Sequence, residues 1–430
     1  MKRATRTPSP LTHVTCLAVL ILVAGSVTLA SENWPHWRGP DHNGTSDETG
    51  LPLEWSTTEN IAWTLELPGR SGSTPIVWGD QIFVVATRDE EIILWSVDRL
   101  SGDLQWERSL GGGNRSVRKA NMSTPSPVTD GESLWVLTST GLLRRFGFDG
   151  RLHWTRDIQA DYWQWGLNWG YGSSPLLHED SLYVQVLHGM RTDDPSYLLR
   201  FDKMTGDTIW QVERPTNAVR ESPDSYTTPA LVETANGLEL VVTGGDVVTG
   251  HALDTGEELW RMDGLNPRNN GAYRIVASPL ILDDIIFAPS RERPLLVLRA
   301  GGRGDVTDSH RIWSTDSGPD VPTPVTDGTY LYILRDNGVM FAHEARTGDV
   351  VWGPERVAPG TYSASPLLAD GRIYLTSEDG MTTVIRQGPE FEILARNDLD
   401  EYTLSSLVPV NGQIFARTDF TLWAIGEARE

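Results

Sequence analysis

Four stretches of this sequence concentrate side chains that bind or transform ligands. Residues 107–124 hold Arg115, Arg118, Lys119 and Asn121 behind three consecutive glycines. Residues 155–172 hold Trp163, Trp165, Asn168, Trp169 and Tyr171 in the run DYWQWGLNWGYG. Residues 211–227 hold Arg214, Arg220, Glu221 and Tyr226, and residues 261–276 hold Arg268, Asn269, Asn270, Tyr273 and Arg274. Cationic groups beside indole and phenol rings suit an anionic or sugar-like ligand, with charge for attraction and ring faces for stacking. The aromatic run has a second reading, a loop that folds over and buries its own rings. Asp161, Asn168, Glu221 and Asp224 offer oxygen donors of the kind a calcium ion accepts.

Other catalytic sets are missing. The nine histidines are scattered, with no His-x-x-x-His pair and no Cys/His zinc spacing. There is no Gly-x-Ser-x-Gly elbow, no phosphate-binding loop and no dinucleotide glycine fingerprint. The Asp-x-x-Thr-Gly turns lack the spacing of an EF-hand. Lys and Arg number 36 against 58 Asp and Glu, a net charge of −22. That balance argues against nucleic acid and against anionic lipid surfaces as partners.

The elements that must position these residues come from a repeat. Copies of one phrase end at Trp106, Trp154, Trp210, Trp260, Trp313 and Trp352, the clearest being LLRFDKMTGDTIW and FAHEARTGDVVW. Downstream of each comes a Ser or Thr, a Pro, an apolar run, a turn and a second apolar run. Pro75, Pro127, Pro175, Pro229, Pro279, Pro324 and Pro366 mark a period of about 41 to 54 residues, the range of propeller blades. Asp130-Gly131, Asp327-Gly328, Asp370-Gly371 and Asn411-Gly412 suit the tight hairpin between the first two strands. In the Asp-x-x-Thr-Gly turn the Asp or Thr caps backbone amides and the Gly takes the left-handed position. The Trp is expected late in the outer strand, wedged against the next blade. Residues 405–425 supply an eighth set of inner strands without an outer one, and the segment around 61–67 carries the orphan Trp63. The expectation is an all-β, eight-bladed propeller closed by the N-terminal strand, with seven blades as the alternative.

These residues resemble the PQQ-like, or quinoprotein-like, β-propeller family. The copies at Asp202 to Trp210, Asp254 to Trp260 and Glu344 to Trp352 carry the resemblance. A secreted bacterial branch is more similar still, through the opening NWPHWRGPDHNGTSDETGLPLEW and the phrase LRAGGRGDVT. The resemblance implies pyrroloquinoline quinone on the axis, with calcium, an acidic base and a vicinal disulfide, in the cofactor-using members. Here Cys16 is the only cysteine, and no residue set matches the calcium ligands. No cofactor is therefore expected, with quinone plus calcium as the alternative.

Lys2, Arg3 and Arg6 precede an uncharged run that ends in Thr28-Leu29-Ala30, so residues 1–30 read as a secretory signal. Cys16 lies ahead of the apolar core, where a lipoprotein site is not expected. Residues 31–59 form an N-terminal strap, whose Trp34 to Pro40 opening ties the chain to the ring, and residues 60–430 form the propeller. Arg303-Gly304-Asp305 reads as a turn. The expected protein is an exported monomer, periplasmic or extracellular, without a transmembrane span once the signal is removed. Its reading is a non-catalytic binding or scaffold protein of the cell envelope, similar in architecture to the BamB-type assembly lipoproteins. It would hold an envelope protein or a small anionic or glycan ligand on its loop face. The alternatives are a quinoprotein-type alcohol dehydrogenase and an extracellular carbohydrate-binding module.

Overall fold

Each proline marker stands immediately before the innermost strand of a four-stranded antiparallel blade, where a missing N–H leaves no ladder bond unmade. The computed structural model describes Met1 and residues 33–291 and 293–428. Apart from Met1, the expected signal over residues 1–30 lies outside the described residues. Seven blades span residues 76–111, 128–157, 176–213, 230–263, 280–315, 325–356 and 367–398. The eighth takes Val408–Val410, Gln413–Arg417 and Thr421–Ile425 from the end of the chain, and Ile61–Glu66 as its outer strand. Trp63 pairs with Ala424 there, so the ring closes at eight blades. Gly304–Asp305 is not a turn. It adds a short parallel strand to the outer edge of blade 4, opposite Trp260 and Arg261.

The first hairpins use two chemistries. At Asp370-Gly371 and Asn411-Gly412 both residues have positive φ. At Asp130 and Asp327 only the following glycine does, and the carboxylate instead accepts two successive backbone amides. In the second turn Asp202 accepts the amides of Met204 and Thr205, both at 2.8 Å, while Gly206 sits at φ 75°.

The blade tryptophan is the third residue of its outer strand rather than a late one, just past a register shift that re-aims the side chain. Six indoles reach the next blade and donate to a carbonyl in its second turn: Trp63 to Arg99, Trp106 to Phe148, Trp154 to Lys203, Trp210 to Leu253, Trp313 to Ala345 and Trp352 to Gly388. Trp260 instead donates to Glu239 of its own blade at 2.6 Å. Blade 7 carries Ala395 at this position. Trp55 of the strap belongs to the same apolar cluster and stacks on Tyr374.

The Ser or Thr before each proline marker, joined in blade 8 by Ser406 before Leu407, closes a second ring. The amide of Thr74 donates to the Ser126 hydroxyl, Ser126 to Ser174, Ser174 to Thr228, Thr228 to Ser278, Ser278 to Thr323, Thr323 to Ser365, Ser365 to Ser406, and Ser406 back to Thr74. All eight bonds measure 2.9–3.2 Å. At about 1 kcal/mol each, they tie every blade to the next at the axis.

The strap crosses that axis. Trp34 exchanges backbone bonds with Val77 of blade 1, and Pro35 accepts from Thr129 of blade 2. The Arg38 guanidinium donates to carbonyls of blades 6 and 7, and Thr45–Ser46 pairs in parallel with the inner strand of blade 7. Within it the His36 and His42 rings lie 4.1 Å apart. Burial lowers both pKa values, His42 to about 4 with repulsion from His178 adding to it. A folded value below the unfolded 6.5 gives stability that is complete above pH 6.5 and lost as pH falls toward 4. His42→Gln is expected to flatten that stretch of the curve of unfolding temperature against pH. An unchanged slope would place the acid limit elsewhere.

Candidate functional site

The loops from each outer strand to the next inner strand gather on one face together with the hairpins between second and third strands. At their centre is a well of about 150 Å³. Every blade contributes to its wall, mostly through the hydroxyl ring and the residues two positions before it, and Trp37 of the strap lines it too. The strap residues Pro35, His36, Pro40, Asp41 and His42 line a cavity on the opposite face. The strap therefore separates the two ends of the channel.

Six of the expected residues meet at the mouth of the well. Tyr226 lines it, and its hydroxyl accepts the Trp169 amide at 3.1 Å. The Trp169 indole donates to Glu221 at 2.6 Å, the Asn168 amide reaches the same carboxylate at 3.4 Å, and the Arg118 guanidinium lies 5.4 Å above the Trp169 ring. Arg274 stands 3.9 Å from Glu221 and 4.0 Å from Asp320, which Arg291 also approaches at 3.9 Å. Beside them Asp224 is fully buried and accepts the amides of Asn168, Gly189 and Met190. Loss of solvent, only partly offset by those amides, pushes its carboxyl up to about 6.

A second charged group forms around Glu378 of blade 7. It accepts Lys119 and Ser363, each at 2.5 Å, and the Tyr402 hydroxyl at 3.0 Å. Burial and the adjacent carboxylate push the Tyr402 phenol upward. Arg70 covers the Tyr402 ring at 5.4 Å and pairs with Asp419 at 3.3 Å.

The remaining expected residues lie apart. Trp163 packs edge-on against Tyr197, Trp165 stacks on Tyr171 at 4.1 Å, and Tyr171 is buried with its hydroxyl on the Gln185 carbonyl. Asn121 is buried and braces its own turn through Ser123 and the Arg70 carbonyl. Arg268 and Tyr273 line a separate cavity of about 440 Å³. Arg115 and Arg220 are exposed, the latter against Gly271. Arg214 is a core residue, donating to Thr249 and to the Gly244 and Val247 carbonyls. Of the proposed oxygen donors, Asp161 pairs with Arg156 at 2.7 Å. Glu378, Asp320, Arg291, Tyr402 and Asp419 were not picked out by sequence. Glu378 and Asp419 lie in hairpins between second and third strands, which share the face but carry no motif.

The family model described as outer membrane protein assembly factor BamB matches residues 46–163, 119–303 and 302–387. No curated protein sequence matches. Among solved structures, BamB from Moraxella catarrhalis superposes with a TM-score of 0.61 at 15% identity, covering 86% of this chain and 98% of that one. The quinohemoprotein alcohol dehydrogenase from Comamonas testosteroni gives 0.68 at 12%, covering 93% and 81%. A europium-containing methanol dehydrogenase gives 0.66 at 11%, covering 90% of each. At such identities these likenesses establish the fold. The well is about half the ~300 Å³ at which small-molecule sites begin, and no three acidic, His or Cys side chains among the described residues converge on a metal position.

Proposed function

We propose, from the premise that this chain belongs to the family described as outer membrane protein assembly factor BamB, that it is an exported, non-catalytic binding protein of the cell envelope whose loop face holds a protein partner. The observation that carries this reading is the closed channel. Trp37 and the hydroxyl ring leave a well of about 150 Å³, too small for a cofactor, below a wide rim of charged and aromatic side chains. The charges near the well already have mates. Glu221 and Asp320 face Arg274, and Glu378 holds Lys119. A small anion must break these pairs, whereas a protein surface adds contacts around them. A sugar platform has little support, because the Trp163 and Trp165 rings pack on Tyr197 and Tyr171 and the Trp169 face is covered by Arg118.

Among the described residues no helix is long and apolar enough to cross a membrane. Titration of the purified protein with pyrroloquinoline quinone plus calcium is expected to give no heat and no thermal stabilisation. A photo-crosslinker at Arg115 or Arg118 is expected to capture one discrete envelope protein, and one at Leu104 on an outer strand to capture none. Saturable one-to-one quinone binding would replace this reading with a dehydrogenase.

A further inference from the structure

In each first hairpin, the residue two past the proline marker sits in a widely spaced pair, so its N–H and C=O turn from the second strand toward the axis. The strap uses three such positions. Val77 exchanges both bonds with Trp34, Thr129 donates to the Pro35 carbonyl, and Leu368 donates to the Gly44 carbonyl at 2.9 Å. In blade 8 the position is Pro409, which has no N–H. At Leu177, Leu231 and Ile281, in blades 3 to 5, no described residue takes up the equivalent groups.

These three residues line a cavity of about 590 Å³ on the face opposite the loop rim, and Ile281 also lines an adjoining one of about 600 Å³. Each alone has the size of a ligand site. The strap forms part of the wall of both. Seven carboxylates line the two cavities against one cation, Lys203, which Asp130 already holds at 3.0 Å. His36 lines the first cavity with its Nδ1 buried and without a hydrogen-bond partner.

We propose that this vestibule binds an extended, lysine- or arginine-bearing peptide segment of another protein. Its main chain pairs with the axis-facing groups of Leu177, Leu231 and Ile281, as the strap pairs with their counterparts in blades 1, 2 and 7. Its basic side chains meet Asp41, Asp47 and Glu179, and its aliphatic side chains lie against Leu231 and Ile281. Strand addition supplies affinity through backbone bonds, and alternate side chains supply selectivity. The site is on the other face from the proposed loop-rim partner, and neither depends on the other.

The test uses the purified protein and a fluorescein-labelled N-acetyl-Lys-Val-Lys-Val-Lys amide, read by anisotropy. Saturable binding that weakens with salt is expected. Leu231→Pro and Ile281→Pro copy Pro409 and spare the ladder bonds. Each is expected to weaken binding about tenfold, with an unchanged melting temperature as the check on folding. Where a proline variant fails to fold, the same peptide with both valine amides N-methylated tests the wild type and is expected not to bind. Glu179→Gln is expected to weaken binding and reduce its salt dependence. No saturation by roughly 1 mM peptide overturns the proposal. So does N-methylated peptide binding as well as its parent, or spermidine competing as well as the peptide, since either leaves only a site for small cations.

Discussion

Arg38→Ala is expected to destabilise the protein by about 3–5 kcal/mol, lowering its unfolding temperature by about 4–6 °C for a ring of this size. The guanidinium is 2% exposed and holds four carbonyls from three parts of the chain. Nη1 donates to Thr323 at 3.4 Å and Pro366 at 3.2 Å, and Nη2 to Asn43 at 2.5 Å and Pro324 at 2.6 Å. Alanine leaves all four acceptors without their donor in a buried place. Bonds from a charged donor contribute about 1.5–3 kcal/mol each, so the full sum would exceed the range given. Water entering the space left behind can re-bond part of the set, which keeps the loss below that sum.

The same substitution frees the strap. Burial pulls the Arg38 pKa down to about 9, so it stays charged at neutral pH and its bonds remain charge-assisted. Without it the strap keeps the Trp34–Val77 and Pro35–Thr129 bonds at one end and the Thr45–Ser46 pairing at the other, with no charge-assisted bond to the ring between them. Limited proteolysis is expected to cut the variant between residues 38 and 45 and leave the wild type whole there. Arg38→Lys keeps the charge but not the planar fork that serves four acceptors, and is expected to recover less than half of the loss. Equal melting and equal protease resistance in Arg38→Ala would mean that the strap is held by its apolar residues alone.

The ring was legible in the sequence because its punctuation is local. Each Ser/Thr-Pro opens a blade, turns like Asp-x-x-Thr-Gly recur in several of them, and Trp63, an indole without a blade of its own, pointed to closure by Ile61–Glu66. The tryptophan was placed too late in its strand because the register shift before it leaves no mark on residue type. The site was legible only in part. Loop lengths and composition singled out Arg118, Asn168, Trp169, Glu221, Tyr226 and Arg274, which do meet. Their charge balance was not legible, because the partners arrive from far along the chain. Lys119 and Glu378 are 259 positions apart. Nor can composition separate Arg214, a buried brace, from the exposed Arg220 six residues later. The turn expected at Arg303-Gly304-Asp305 became a strand because blade 4 has an outer edge for it to join.

That exception in blade 4 carries the other large effect. Gly250→Ala is expected to cost about 4–6 kcal/mol, although one methyl group is added. Gly250 pairs across the strands with Trp260, and a Cβ there would lie 2.1 Å from the indole. Elsewhere the cross-strand partner carries a side chain, Ser96 for Trp106 and Ala342 for Trp352, because those indoles lean over the next blade. Blade 5 has no short turn there to receive Trp260, since the longer segment 300–310 stands in its place. The indole therefore lies back over Gly250, 1% exposed, with its N–H on the buried Glu239 carboxylate. Alanine forces it off that carboxylate, adding the loss of a buried charged bond to overpacking. Gly112→Ala, with only the Glu90 carbonyl 3.9 Å away, is the matched control and is expected to stay within about 0.5 kcal/mol of wild type. The cause is tested by coupling. If the clash with the indole is the mechanism, Gly250→Ala adds little in a Trp260→Phe background, and urea unfolding of the double variant falls well short of the sum of the two single losses. Additive losses would mean that the glycine serves the strand rather than the tryptophan.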